Sequence, residues 1–107
     1  MEEANRIIAI DPGEKRIGIA LSDPTGTIAS PLNVIKHVSL IVDAAHIVQL
    51  AKENHARLIV VGQALGSDGE ETPSSRHAHK LADAIRLQGQ IPVVLWDESG
   101  STRLARQ

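Results

Sequence analysis

Residues 7–22, IIAIDPGEKRIGIALS, decide the fold. Ile7, Ile8, Ala9 and Ile10 run without a break into an acid, Asp11, which Pro12 and Gly13 follow. A short continuous apolar run bounded by turn residues has the character of a strand buried on both faces. Pro12 and Gly13 preset turn dihedrals, so residues 12–15 read as the turn of a hairpin. Beyond it Ile17, Ile19 and Leu21 alternate with Gly18, Ala20 and Ser22, the period of two that marks a second strand. Gly18 and Ala20 leave one face of that strand shallow, open to close approach by a helix or a ligand. Asp11 stands where the first strand leaves the core. Open α/β sheets bind their ligands beyond the carboxyl ends of the strands, so that position suits chemistry.

The remaining chain supplies the other elements. Asp23, Pro24, Thr25 and Gly26 form a second turn, and residues 27–35 read as a third strand interrupted by Pro31. A proline removes a ladder hydrogen bond, which assigns this strand to a sheet edge. Ser39 caps a helix running to about residue 54, with Leu40, Ala44, Ile47, Val48 and Ala51 on its apolar face and Ile41 and Ala45 widening the stripe. Residues 58–61 form a buried strand that ends in Gly62, so the connection is a right-handed parallel crossover. A polar loop over 63–71 leads to a second helix, with Thr72 as cap, Pro73 at the first position and Gly89 as its stop. Ala78, Leu81, Ala82 and Ile85 are its apolar face. Residues 92–96 make a fifth strand ending in Asp97 and Glu98, and Ser101 and Thr102 cap a last helical fragment. The order is βββαβαβ: one α/β domain over residues 1–107, a mixed sheet with three leading antiparallel strands.

Composition narrows the classes of function. The chain has 107 residues, enough for one core but not for two lobes with a cleft between them. One Trp and no Phe or Tyr argue against a single-strand binder that works by stacking bases on aromatic platforms. A net charge of −2 does not advertise a nucleic-acid partner, although binding needs only a local basic patch. With no Cys, thiolate metal sites and Cys nucleophiles are excluded. No stretch reaches the ~20 apolar residues of a membrane span, and the polar amino terminus is unlike a secretory signal. The expected compartment is the cytoplasm.

Two buried strands end in carboxylates, Asp11 after the first and Asp97 and Glu98 after the fifth. If those strands are parallel, the acids share one edge of the sheet. Hard cations such as Mg²⁺ take oxygen ligands, usually one or two carboxylates with water and substrate phosphate. Asp11 alone serves equally well as a solvated turn residue. Lys15 and Arg16 at the hairpin tip suit phosphate, as a point charge and a bidentate fork, or are simply solvated. His37, His46, His55, His77 and His79 read as surface or connecting residues without a site. His77 and His79, two apart on a helix, cannot share a metal, and His79 faces Asp83 at i, i+4. The acidic loop Asp68-Gly69-Glu70-Glu71 lacks the ligand spacing of a calcium site.

The pattern I-x-I-D-P-G-x-K-R-I-G-I-A-x-S-D-P-x-G-x-I-A-S-P-L over residues 8–32 resembles the YqgF/RuvX family. These are Holliday-junction resolvases, also described as pre-16S rRNA nucleases, with an RNase H-like fold. Residues 59–62 (IVVG), Asp68-Gly69, and Asp97-Glu98 followed by Ser101-Thr102 extend the likeness over nearly the whole chain. The resemblance implies a Mg²⁺- or Mn²⁺-dependent phosphodiesterase acting on precursor rRNA or branched DNA. Asp11 and Glu98 would be its catalytic metal ligands, Lys15 and Arg16 would bind nucleic acid, and Ser101 and Thr102 would cap the last helix near the substrate. Three departures stand out. Ser99 replaces the family's Arg, Gln63-Ala64 replaces Leu-Pro, and the carboxy-terminal helix that carries a third carboxylate is expected to be missing. A polypeptide with two of three acids is expected to fold and yet to be weak or inactive, which keeps a non-catalytic binding module as the alternative. An actin-like ATPase shares the opening strand and hairpin but needs two lobes. The wide apolar stripe of the first helix suits the sheet alone or a homodimer as well.

Overall fold

The alternation in residues 7–22 becomes the central hairpin of the sheet. A computed structural model describes residues 6–13, 15–22, 30–63 and 68–97. Strand β1 (Arg6–Pro12) pairs antiparallel with β2 (Arg16–Leu21), and β2 with β3 (Ser30–Lys36). Then follow α1 (Leu40–Glu53), β4 (Ala56–Gln63), α2 (Pro73–Gln88) and β5 (Val93–Asp97). The sheet order is β3-β2-β1-β4-β5, with β4 parallel to β1 and β5 parallel to β4. This is the βββαβαβ arrangement expected from the sequence, with β1 at the centre and the strand containing Pro31 at an edge. Ser22 closes the hairpin, since its hydroxyl accepts from the Ile7 N–H at 2.8 Å while its own N–H donates to the Ile7 carbonyl at 2.9 Å.

The two faces of the sheet differ. Ile8, Ile10, Ile17, Ile19, Ile59, Val61 and Val93 are buried, and the strand registers place them on one face. Ala44, Ile47, Val48 and Ala51 of α1 and Ala78, Leu81, Ala82 and Ile85 of α2 close that core. The other face alternates with it: Ala9, Asp11, Gly18, Ala20, Val60 and Gly62, with Val94 and Trp96 each 42% exposed. Neither helix packs there, because two right-handed crossovers stepping the same way across a sheet put both helices on one side.

Helix boundaries follow the expected caps. The Ser39 hydroxyl accepts from the Val42 N–H, Thr72 and Ser75 form a reciprocal capping box, and Gly89 ends α2. Three expectations are corrected. Ile41, 72% exposed, and Ala45 lie outside the packed stripe of α1; the extra buried position is Asp43, at 1% exposure. Asp83 pairs with Arg86 at 3.0 Å, not with His79, because i, i+3 lets the longer guanidinium reach it. The third strand runs on to Lys36 rather than ending at residue 35. The turn at 23–26, residues 64–67 of the polar loop, and the last helical fragment with Ser101 and Thr102 lie outside the described residues. Among the described residues no helix is long and apolar enough to cross a membrane.

Candidate functional site

Asp11 is the penultimate residue of the central strand, exposed on the uncovered face and opposite Gly18 of β2. It lines a concavity of about 550 Å³ with Ala9, Gly18, Asn33, Gly62 and Trp96. Small residues make this hollow. A Cβ added at Gly18 would meet the Asp11 Cβ at 3.7 Å, ordinary contact, so a methyl would fit but would fill the floor beside the carboxylate. Gly62 lies across β4, opposite Trp96 of β5.

The turn after Asp11 is fixed by a different constraint. The Gly13 N–H donates to the Arg16 carbonyl at 2.9 Å, and a Cβ at Gly13 would come within 2.6 Å of that same oxygen. Backbone cannot yield as a flexible side chain can, so the turn that carries Lys15 and Arg16 requires glycine here. Lys15 and Arg16 are both exposed, and Arg16 pairs with Lys36 across β2 and β3. Together with Val34 and Ile35 these three cations line a groove of about 620 Å³. The period of two places Arg16, Gly18 and Ala20 on one face, which is the face of Asp11. Lys36 was not singled out from the sequence. Its signal was available: in an antiparallel meander the end of the third strand returns to the start of the second.

Parallel strands do bring the two acidic strand ends to one edge. Ile10 is in register with Val61, and Gln63 with Asp97. Strand β4 lies between β1 and β5, so their ends are two inter-strand steps apart, roughly 9–10 Å. Glu98, Ser101 and Thr102 lie outside the described residues. Among the described residues no group of three or more His, Asp or Glu side chains is placed to hold a metal ion. Asp11 is the one carboxylate among the described residues that line the hollow, and it is exposed and takes no part in the His37–Asp43 or Asp83–Arg86 pairs. A carboxylate that engages no cation and opens on a hollow large enough for water and phosphate fits Mg²⁺, which is commonly held by one or two carboxylates.

The family model described as "RuvX: Holliday junction resolvase" matches residues 5–107. A Caulobacter sp. (strain K31) protein named "Putative pre-16S rRNA nuclease" is 43% identical over 97 residues, covering 90% of this chain and 59% of its own length. A Roseiflexus sp. (strain RS-1) protein of the same name is 35% identical over 105 residues, covering 98% of this chain and 74% of its own. The chain thus spans about three-fifths of the Caulobacter relative, at 59%. Among solved structures, T. thermophilus RuvC in complex with a Holliday junction substrate superposes with a TM-score of 0.65 at 13% identity, over 92% of this chain and 68% of that one. At that identity the likeness establishes the fold, which is RNase H-like as the sequence implied. Taken with the match across residues 5–107, these relatives show that the chain belongs to the RuvX family.

Proposed function

We propose that this protein is a divalent-metal-dependent nuclease that hydrolyses phosphodiester bonds in structured nucleic acid, either a precursor of 16S rRNA or a four-way DNA junction. The observation that carries the reading is the sharing of one sheet face by Asp11, Arg16 and Lys36, with Gly18 and Gly62 lowering the surface on either side of β1. A net-acidic chain gathers three cations beside an exposed carboxylate, and that is the local patch a phosphate backbone requires. The names of the relatives and of the family support the same class of reaction.

Each residue has a role in this reading. Asp11 supplies hard oxygen ligands for Mg²⁺ or Mn²⁺, and Glu98 completes the set from the segment that follows β5. An ion held by these residues would supply activation of a water and stabilisation of charge on the leaving oxygen. Arg16 grips phosphate oxygens as a planar fork, while Lys15 and Lys36 act as point charges that hold the strand in register over Asp11. Gly18 and Gly62 allow the backbone of the nucleic acid to come close to the sheet. Ser101 and Thr102 supply hydroxyls for binding the nucleic acid.

The test is cleavage of an end-labelled 16S rRNA precursor and of a labelled four-way DNA junction in Mg²⁺ or Mn²⁺. One substrate should be cut, and Asp11→Asn should lower the rate by about 100-fold or more while leaving substrate binding intact. Tight binding with no cutting in either ion would replace the nuclease with a binding module.

A further inference from the structure

A second cavity, of about 470 Å³, lies near the same edge of the sheet and is lined by Pro12, Gly13, His37, Pro73, Ser74 and His77. Pro12 alternates with Asp11 along β1, so the cavity is on the helix side of the sheet, away from the carboxylate's hollow. Two histidines forty residues apart in sequence meet here, their ring centroids 5.7 Å apart and their planes at 87°. His37 is held by Asp43: its Nδ1 lies 2.5 Å from Oδ2, while Oδ1 accepts from the Val38 N–H at 3.0 Å. The His37 backbone is also fixed, its N–H donating to the Lys15 carbonyl at 2.9 Å. With Nδ1–H given to the carboxylate, the lone pair of His37 is on Nε2. His77 has the complementary peculiarity. Its Nε2 is buried and has no hydrogen-bond partner among the described residues.

We propose that His37 and His77 form a site for a borderline transition-metal cation such as Zn²⁺ or Co²⁺, each ligating through Nε2, with water in the remaining positions. A carboxylate behind a ligating imidazole is the usual way such a ligand is oriented and its basicity raised, and Asp43 occupies that position. At Zn–N distances of about 2.0–2.1 Å, two imidazoles on one ion have centroids roughly 5–6 Å apart, the range seen here. An orphaned buried ring nitrogen calls for a partner, and the ion supplies one.

The charge around the cavity selects a cation over an anion. Among the described residues no Lys or Arg lines it, and the buried Asp43 carboxylate would repel a phosphate. The partial positive charge at the amino terminus of α2 opposes a cation only weakly, because it fades within the first turn. Nitrogen ligands also separate this site from the one at Asp11, since Mg²⁺ takes oxygen and keeps its waters whereas Zn²⁺ and Co²⁺ accept imidazole. The bound ion would tie the β3–α1 connection to the first turns of α2, directly beneath the turn that follows Asp11.

The experiment is titration of the whole chain with Zn²⁺ and Co²⁺ in saturating Mg²⁺, followed by calorimetry and by long-range ¹H–¹⁵N spectra of the histidine rings. The expected result is one equivalent bound, with the Nε2 signals of His37 and His77 shifted and those of His46, His55 and His79 unmoved. His37→Ala or His77→Ala should weaken binding at least tenfold, and Asp43→Asn about 10–100-fold, each with an unchanged circular dichroism spectrum. Absence of binding, or ring shifts confined to the other histidines, would overturn the proposal even if a variant failed to fold, because the spectra need only the natural chain.

Discussion

Asp43 sits on a helix between Val42 and Ala44, yet it is 1% exposed and both of its carboxylate oxygens are used. In the sequence it passes as an acid in the first turn of a helix, where the helix dipole favours one. Only the return of the chain from β3 brings His37 and the Val38 N–H onto it. Asp43→Ala would remove two hydrogen bonds made to a buried carboxylate, each contributing about 1–3 kcal/mol. We expect a loss of about 2–4 kcal/mol in urea-induced unfolding, with Asp43→Asn less damaging because it keeps an acceptor. Asp11 is the opposite case. An unbroken apolar run that stops at an acid announces a strand end in the sequence itself, and the structure puts Asp11 there, exposed. The histidine pair gave no such sign. His37 lies between a strand and a helix and His77 one turn into another helix, and no periodicity connects them.

At the scale of elements, the strands and helices were legible because their apolar periods are long and their caps conventional. Ser39, Thr72, Pro73 and Gly89 stand where their chemistry requires. What the periodicity of α1 could not show is which residues flanking the stripe meet the sheet. Ile41 and Ala45 are apolar and remain outside, since a single helix layer on one face covers only part of the helix circumference. The pairing of β2 with β3 has a functional consequence: it sets Lys36 beside Arg16, a juxtaposition that depends on register rather than on composition. Lys36→Ala should weaken binding of the labelled substrate several-fold and reduce the slope of log K against log salt by about 1, as expected for the loss of one phosphate contact. A fluorescence-anisotropy titration at several salt concentrations measures both. An unchanged slope would remove Lys36 from the interface.

For the molecule as a whole, sidedness was the property hardest to read from the chain. Strand order follows from a meander and two crossovers, and the handedness of crossovers then sends both helices to one face. That leaves Asp11 on the opposite face, among Ala9, Gly18, Ala20 and Gly62, where small side chains permit close approach. In the sequence only Gly18 and Ala20 read as a shallow face, whereas Ile7 to Ile10 read as a strand buried on both sides; that Ala9, Gly62 and Trp96 share an open face with them needed the β1–β4–β5 registers. The central claim is that a divalent ion binds at Asp11, and it is tested most directly by the paramagnetic broadening that Mn²⁺ causes in the ¹H–¹⁵N spectrum of the chain. Broadening should centre on Ala9, Asp11, Gly18 and Gly62, be relieved by excess Mg²⁺ and vanish in Asp11→Asn. Broadening that centres elsewhere, or that persists unchanged in Asp11→Asn, would contradict the assignment.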